Sequence, residues 1–367
     1  MITISHLLQA GFLPDFTPSM LCFLTAFVFT LLIIPAIIFF TGKLQLYDMP
    51  GTRKLHQAPV PTMGGIAIVT GMITGLILWM PLAMDTWQVA FFFCVITLMA
   101  LGVMDDLKDM PAKYKFMIQA GVALLMAVAG IRITSLEGIF GIHELPVAMQ
   151  YFLTVLLITG VTNAFNLIDG IDGLAGGIGF MSLATTGIFL LFSGDQYGAA
   201  IAIALSGSIL AFLYFNFNPA RIFMGDTGSL VLGFVTAVLC IRLQQINAAA
   251  LKPVLHHSPV FILGIVLIPV FDTIRVFYLR LRKGISPFTA DRTHIHHLLT
   301  NRGIGHAACT RIICGIHAFI LIQVYLVRHW PQEIIFLLMT GFMMLVVWAM
   351  QRLPLRREDK NKYTVPG

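Results

Sequence analysis

Long apolar segments recur along the whole chain and constrain its fold more than any other feature. A helix needs about 20 predominantly apolar residues to cross a bilayer, and eleven segments reach or approach this length. We predict spans at residues 21–41, 63–81, 88–104, 115–130, 147–165, 174–192, 197–216, 228–245, 257–280, 306–328 and 331–350. Only 11% of the residues are charged, whereas a soluble domain uses about a quarter. The sequence therefore predicts an all-α, polytopic integral membrane bundle, with residues 1–367 forming a single domain.

The distribution of lysine and arginine predicts the orientation of this bundle. One set of alternate loops holds 18 of the 23 basic residues, and basic residues accumulate in cytoplasmic loops. We therefore expect an N-terminus outside the cell and a cytoplasmic tail at about 353–367. In a membrane protein, an excess of positive charge reports topology first. We expect the lipid bilayer as a partner and no nucleic acid.

An acidic pair, Asp105-Asp106, directly follows one of the apolar segments, and Lys113 follows in the same loop. Two adjacent carboxylates at a membrane boundary repel each other, so they need a cation, a proton or a cationic group of a substrate. The alternative is a solvated acidic loop without a function.

A second loop carries oxygen ligands at spacings of three residues: Asn163, Asn166, Asp169 and Asp172. A glycine follows each aspartate and permits a tight backbone turn. Carboxylates and amides that end an apolar helix, with no basic residue nearby, indicate bound Mg²⁺ or another ligand. A capped break between two helices is the alternative.

A third loop runs from Asn216 through Phe223 to Asp226, which lies between two glycines at the start of a predicted helix. The N-terminus of a helix favours phosphate, and an aspartate there could carry a metal ion that bridges the phosphate to the protein. Alternatively, Asp226 caps this helix and does nothing else.

A fourth loop contains Arg292 followed by His294, His296 and His297. Three histidines within four residues suggest zinc at first sight, but they lack partners at the usual zinc spacing. The neighbouring arginine suits a phosphate or sugar oxygen better.

All four loops fall on the cytoplasmic face, whereas the interiors of the spans are almost bare of ionisable groups. Asp272 and Arg275, three residues apart on one helix, are interpreted as a simple ion pair. A channel or an ion-coupled transporter would place ionisable groups near the mid-plane and along both exits. The pattern favours an enzyme that joins a Mg²⁺-bound polyanion to an acceptor in the membrane, with an ion-coupled transporter as the alternative from another class.

The chain resembles the polyprenyl-phosphate N-acetylhexosamine-1-phosphate transferases over nearly its whole length. The resemblance rests on four motifs in the same order, namely Asp105-Asp106, Asn163…Asp169-Gly-Ile-Asp172-Gly, Phe223-Met-Gly-Asp226-x-Gly-Ser229 and Asp291-Arg-x-His-Ile-His-His297. The His-Ile-His-His form is similar to the branch that acts on UDP-N-acetylglucosamine. The peptidoglycan branch, phospho-N-acetylmuramoyl-pentapeptide transferase, typically has consecutive histidines there and is the nearest alternative.

The resemblance implies a function in a bacterial inner membrane, with the site on the cytoplasmic face. N-acetylglucosamine 1-phosphate would pass from UDP-N-acetylglucosamine to undecaprenyl phosphate with release of UMP, to begin O-antigen, common-antigen or related surface polysaccharide synthesis. Mg²⁺ is the implied cofactor, with Mn²⁺ as a substitute. A different UDP-N-acetylhexosamine donor and a homodimer are both left open.

The resemblance also implies roles for individual residues, which are hypotheses here. Asp226 is the implied Mg²⁺ ligand, helped by Asn166 or Asp172. Asp105 is the candidate base or positioning carboxylate for the lipid phosphate, with Asp106 beside it.

The remaining residues are assigned to substrate, with Asp172 and the three histidines also counted as catalytic candidates. Lys113 would steady the pyrophosphate, and Asp169, Asn216 and Phe223 would hold uridine, with Asn163 as a further substrate contact. Closure over the sugar and its phosphate is assigned to Arg292, His294, His296 and His297.

Overall fold

The computed structural model describes residues 15–43, 47–48, 60–286 and 293–354, and most of these residues are helical. In chain order, the elements are α1 Thr17–Lys43, β1 Tyr47–Asp48, β2 Val60–Pro61, α2 Gly64–Trp79, α3 Thr86–Leu107, α4 Ala112–Val128, β3 Ser135–Ile139, β4 Ile142–Glu144, α5 Val147–Ile168, α6 Leu174–Phe192, α7 Gln196–Asn216, α8 Gly225–Ala249, α9 Ser258–Arg282, α10 Ile295–Thr300, α11 His306–Leu326 and α12 Gln332–Arg352.

Each of the eleven predicted apolar segments coincides with one long helix, so the fold class is confirmed. Nine helices in the described ranges are long and apolar enough to cross a membrane. The helices α2 and α4 are shorter, with 16 and 17 residues. The number of helices that cross the bilayer and the orientation of the termini stay predictions.

Two small antiparallel hairpins and the short helix α10 were not predicted. In one hairpin Tyr47 lies opposite Pro61, and in the other Ser135 lies opposite Glu144. Their strands have two to five residues, which is too short for a period-two pattern to stand out in an apolar sequence.

The helix α8 is the central element of the bundle, and 18 of its 25 residues are buried. Small residues bring its neighbours close. A side chain at Gly233 would come within 2.7 Å of the Thr162 Cα on α5, and one at Gly102 of α3 would come within 2.3 Å of the Thr227 Cα. Small residues at helix contacts let backbones approach each other in membranes. The first turn of α8 is therefore held tightly against its neighbours.

Antiparallel connections bring the predicted site loops to one end of the bundle, which we call the polar end. The helices α3, α5, α7 and α9 finish there, and α4, α6, α8 and α11 begin there. The peripheral helices α1, α11 and α12 leave large apolar side chains exposed along their outer faces, as at Leu32, Ile322 and Leu337. The molecule is therefore a multi-pass membrane protein whose predicted site loops collect at one end.

Candidate active site

The carboxylate of Asp106, at the end of α3, holds the first turn of α8. Its Oδ1 accepts a hydrogen bond from the Asp226 backbone N–H at 2.8 Å, and its Oδ2 accepts from the Thr227 N–H at 3.1 Å and the Thr227 hydroxyl at 2.6 Å. The first N–H groups of a helix have no partner within the helix, so an outside carboxylate stabilises this end. Asp106 is therefore the cap of α8, and Asp226 is not.

The side chain of Asp226 instead meets Lys115 and Asp105. The Lys115 Nζ donates to Asp226 Oδ2 at 2.9 Å and to Asp105 Oδ2 at 2.8 Å, while Asp105 Oδ1 accepts from the Met110 N–H at 2.8 Å. These side chains are only partly exposed, so the ammonium offsets a repulsion that water would screen poorly. We call Asp105, Lys115 and Asp226 the carboxylate–lysine cluster.

Lys115 was missed by sequence reasoning, which assigned the pyrophosphate to Lys113. Lys113 is exposed, and Lys115 is half-buried. The buried positions of α4 include Gln119, Val122 and Met126. Residues four apart lie on the same face of a helix, so Lys115 shares this face with Gln119, whereas Lys113 does not. This spacing was the available signal.

Glycines bring the segment before α2 against the start of α8. The N–H groups of Gly64 and Gly65 each donate at 2.9 Å to the carbonyls of Phe223 and Met224, and the Phe223 N–H donates to the Pro61 carbonyl at 2.7 Å. A side chain at Gly65 would come within 2.2 Å of the Gly228 nitrogen. The backbone of Phe223 is thereby fixed, and the residue is half-buried. Its predicted contact with uridine stays a prediction.

The loop between α5 and α6 lies beside this cluster. The Asn166 Nδ2 donates to the Ser229 hydroxyl of α8 at 3.0 Å. The Asp172 Oδ2 accepts from Asn218 Nδ2 at 2.9 Å and from the Ala220 N–H at 3.2 Å. Asn166 and Asp172 thus connect this loop to two parts of the segment from α7 to α8.

Charge and burial distinguish the two aspartates of this loop. Burial, together with the negative charges of Asp226, Asp106 and Asp172, raises the pKa of the Asp169 carboxyl to about 8. Burial also opposes ionisation of Asp172, but His306, Asn218 and the N–H of Ala220 together hold its pKa below the usual value. Asp169 is therefore the carboxyl that most needs a proton or a cation.

The side-chain amide of Asn216, at the end of α7, connects the segment before α6 to the segment before α8. Its Oδ1 accepts from the Gly173 N–H at 2.8 Å, and its Nδ2 donates to the Ile222 carbonyl at 2.9 Å, with only 5% of the residue exposed. The amide holds the turns before α6 and α8 together. Its predicted contact with uridine stays a prediction.

The histidine segment packs over the glycine of the same loop. A side chain at Gly170 would come within 2.5 Å of His296 Nε2, so a larger residue there would displace this imidazole. Burial, with the neighbouring charges of His297, His294 and His306, lowers the pKa of His296 to about 3, although Asp272 acts in the opposite direction. His296 is therefore a neutral ring at physiological pH. The predicted substrate residue Arg292 lies outside the described residues.

His294 and His297 accompany His296 at the polar end. The ring of His294 lies parallel to that of His296, with centroids 5.8 Å apart, and the His297 ring is 4.2 Å from His296. His294 Nδ1 lies 2.9 Å from Asp272 Oδ2, which makes Asp272 a further residue of this segment. The simple Asp272–Arg275 ion pair predicted from sequence is present at 2.9 Å, but it is only part of the role of Asp272.

An apolar groove of about 780 Å³ opens between α4, α5 and α9 and reaches the polar end. Its lining includes Phe116, the residue after Lys115, and Asn163, one helical turn before Asn166. Gly121, Gly160 and Leu156 line its apolar part. The predicted substrate residue Asn163 therefore lies in this groove, close to the end of α5.

The carboxylate oxygens of this site fit a magnesium ion that binds together with a substrate. Within the described ranges, Asp172 Oδ1 is buried without a hydrogen-bond partner, and the Asp169 carboxylate has no hydrogen-bond or ion-pair partner. No group of three or more acidic, histidine or cysteine residues with metal-binding geometry occurs there. Mg²⁺ usually binds through one or two carboxylates, several waters and substrate phosphates, so it does not require such a group.

Together, the fold and the site define a polytopic membrane protein with a carboxylate-rich centre at one end of its helical bundle. The model of glycosyl transferase family 4 matches residues 88–244. These residues include the acidic pair, the α5–α6 loop and the start of α8.

Several bacterial relatives are similar over most of the chain. A probable undecaprenyl-phosphate N-acetylglucosaminyl 1-phosphate transferase of Bacillus subtilis is 34% identical over 292 residues, covering 79% of this chain and 80% of that protein. Undecaprenyl-phosphate alpha-N-acetylglucosaminyl 1-phosphate transferases of Yersinia pestis and Escherichia coli K12 are 32% and 33% identical. These two alignments cover 88% and 84% of the chain, and 92% and 86% of those proteins. The chain belongs to glycosyl transferase family 4, and it is a transferase.

Proposed function

We propose that the protein transfers N-acetylglucosamine 1-phosphate from UDP-N-acetylglucosamine to undecaprenyl phosphate and releases UMP. The observation that carries this proposal is the carboxylate–lysine cluster, in which Lys115 directly precedes Phe116 of the apolar groove. The relatives with this activity support it, because they match more than three quarters of the chain. The membrane would be the bacterial inner membrane, with the polar end in the cytoplasm, where the nucleotide sugar is available.

The lipid substrate has two parts that match two neighbouring parts of the protein. The groove of about 780 Å³ is open to the surrounding membrane and suits part of a long polyprenyl chain. Phe116 and Asn163 lie in the groove where it approaches Lys115 and Asn166. A lipid lying in this groove would bring its phosphate to the carboxylate–lysine cluster.

The reaction joins two anions. An oxygen of the lipid phosphate attacks the phosphorus that carries the sugar, a new P–O–P bond forms, and the bond to the UMP phosphate breaks. UMP leaves with the electron pair, and no oxidant or reductant is required. Positioning and charge stabilisation supply most of the catalysis in such transfers.

Each residue of the cluster has a distinct task in this scheme. Lys115 supplies a positive charge between Asp105 and Asp226, and it can turn to a phosphate oxygen when substrate arrives. Asp105 then positions the attacking phosphate. Asp106 accepts hydrogen bonds from the N–H groups of Asp226 and Thr227, so in this scheme these two groups orient Asp226 and do not bind phosphate.

Asp226, with Asn166 or Asp172, would hold Mg²⁺ together with the donor diphosphate. The bound ion would neutralise the diphosphate and stabilise the departing UMP. Asp169 and Phe223 remain the proposed residues for uridine, and the histidine segment remains the proposed cover for the sugar.

Purified protein mixed with undecaprenyl phosphate and one UDP-sugar at a time tests the proposal by UMP release and by the lipid product. We expect transfer from UDP-N-acetylglucosamine that depends on added Mg²⁺ and stops with EDTA. Transfer only from the muramoyl-pentapeptide donor, or only from another N-acetylhexosamine, would refute the donor assignment. Absence of transfer from every donor would refute the enzyme proposal.

A further inference from the structure

A buried carboxylate in α9 organises the histidine segment. Asp272 is 1% exposed. Its Oδ1 accepts from the backbone N–H of Ile295 at 3.0 Å and from Arg275 Nη2 at 2.9 Å, and its Oδ2 lies 2.9 Å from His294 Nδ1. The contacts with His294 and Ile295 span 22 and 23 residues of chain, so they are tertiary contacts between α9 and the start of α10.

Arg275 also fixes the backbone next to His294. Its guanidinium donates both to Asp272 and to the carbonyl of Thr293. Thr293 and Ile295 flank His294, so the backbone before it, the backbone after it and its own ring are all fixed by two side chains of one helix. An ion pair that served only α9 would not need contacts to three successive residues of another segment.

The chemistry of the pair defines which nitrogen of His294 carries the hydrogen. An ionised carboxylate can only accept hydrogen bonds, and Arg275 beside it favours the ionised form. The short contact therefore requires a hydrogen on Nδ1, which leaves Nε2 with a free lone pair in the neutral ring. A partner on one imidazole nitrogen commonly sets the state of the other in this way.

The ring of His294 lies beside residues that are assigned to the nucleotide sugar. Its ring is parallel to that of His296, and His296 packs on Gly170 between Asp169 and Asp172. The other groups that face this layer are His297 and, on α11, His306, whose Nδ1 lies 3.7 Å from Asp172 Oδ1. The imidazoles therefore border the loop that carries Asp169 and Asp172.

We propose that Asp272 is a positioning residue of the transfer reaction, which holds His294 with Nδ1 protonated so that Nε2 accepts a hydrogen bond from the donor sugar. This inference rests on the proposed function and adds to it a determinant of donor binding that lies within a membrane helix. A sugar hydroxyl or an acetamido N–H is the class of group that such a nitrogen binds.

The substitution Asp272→Asn tests the proposal because it keeps the shape and reverses one hydrogen bond. The amide oxygen can still accept from Ile295 and Arg275, but the amide nitrogen donates to His294 Nδ1 and moves the ring hydrogen to Nε2. The donor sugar then meets a hydrogen where it needs an acceptor. We expect KM for UDP-N-acetylglucosamine to rise about tenfold, with KM for undecaprenyl phosphate unchanged.

Asp195→Asn is the matched control. Asp195 is also a buried aspartate that accepts from a helix N–H, that of Gly198 at 3.1 Å, and from an arginine, Arg242, at 2.9 Å. It lies in the turn between α6 and α7, at the opposite end of the bundle. We expect this variant to lose stability to a similar degree and to keep both KM values.

Two further measurements separate positioning from general damage. The double variant Asp272→Asn/His294→Gln should be no worse than His294→Gln alone, because both changes remove one interaction. Nitrogen NMR of protein labelled at the histidine rings, with the His294 signals assigned by their loss in His294→Gln, should show Nδ1 protonated in the wild type and Nε2 protonated in Asp272→Asn.

The outcomes distinguish this inference from the function on which it rests. A wild-type Nδ1 without a hydrogen, or equal increases of KM for donor and lipid in Asp272→Asn, would overturn the role of Asp272. If the wild type transfers nothing from UDP-N-acetylglucosamine, the proposed function fails, while the state of the His294 ring still decides whether Asp272 sets it.

Discussion

The carboxylate of Asp106 accepts a hydrogen bond from the backbone N–H of Asp226 at 2.8 Å, across 120 residues of chain. One member of the acidic pair thus fixes the helix start that presents the aspartate assigned to the metal. The other member, Asp105, reaches the side chain of the same residue through Lys115. The two adjacent carboxylates are therefore accommodated by two different partners, backbone N–H groups for Asp106 and an ammonium for Asp105.

Replacing Asp106 with alanine should impair the protein in two ways. It leaves the first N–H groups of α8 without their cap, which costs about 1 kcal/mol of stability, and it releases Asp226 from its fixed position. We expect a lower Tm and a fall in kcat of about 100-fold, the scale typical of a misplaced catalytic group. Thermal unfolding and UMP release measure the two effects.

Asp195→Ala is the control for the stability effect, because it removes a helix cap at the far end of the bundle. A similar Tm with an unchanged kcat would assign the loss in Asp106→Ala to the site. Equal losses of kcat in both variants would contradict that assignment.

Substitution of Lys115 by methionine should be more damaging than the same change at Lys113. Without its ammonium, Asp105 and Asp226 face each other in a partly buried setting, so binding of the phosphates requires both to be neutralised by other means. We expect kcat/KM to fall by at least about 100-fold for Lys115→Met and by less than about tenfold for Lys113→Met. Steady-state kinetics with both substrates decide the order, and the reverse order would restore the assignment made from sequence.

The pKa of Asp169 predicts how stability depends on pH in protein without metal or substrate. The folded state raises this pKa from its ordinary value of 3.8 to about 8, so the folded protein holds a proton that the unfolded chain has released. The stabilising effect of that proton is fully present below about pH 4. This effect diminishes as the pH rises from about 4 to about 8, and it is absent above about pH 8.

We therefore expect the Tm of the wild type to fall between pH 5.5 and pH 8 relative to that of Asp169→Asn, which cannot ionise. Thermal unfolding of both proteins in EDTA at several pH values checks this difference. Parallel pH profiles for the two proteins would show that Asp169 does not titrate in this range.

Filling the apolar groove should affect one substrate only. A leucine at Gly160 would project into the groove, since nothing lies within 4 Å of the added Cβ. We expect KM for undecaprenyl phosphate to rise about tenfold, equivalent to about 1.4 kcal/mol of binding, while KM for the nucleotide sugar is unchanged. Gly315→Leu, at an equally open position on α11 away from the groove, serves as the control, and an identical effect there would argue against the groove as the lipid site.

The sequence by itself determined the class of fold and predicted most of the candidate site residues, but it missed Lys115 and the contact of Asp272 with His294. Hydrophobic length is a local property, so eleven apolar segments located the eleven long helices within a few residues. The polar motifs stood out because ionisable groups are costly beside lipid. Short strands such as Tyr47–Asp48 and the helix Ile295–Thr300 carry no such signal, because a few residues do not define a period.

Only the tertiary structure decided which partner each polar group has. Asp106 and Asp105 are neighbours in sequence, yet one caps α8 and the other binds Lys115, because successive residues of a helix point about 100° apart. Asp272 looked like a local ion pair with Arg275, yet it also holds His294, which is 22 residues away. Such contacts depend on how helices pack against one another, and the sequence pattern of a single helix does not contain that information.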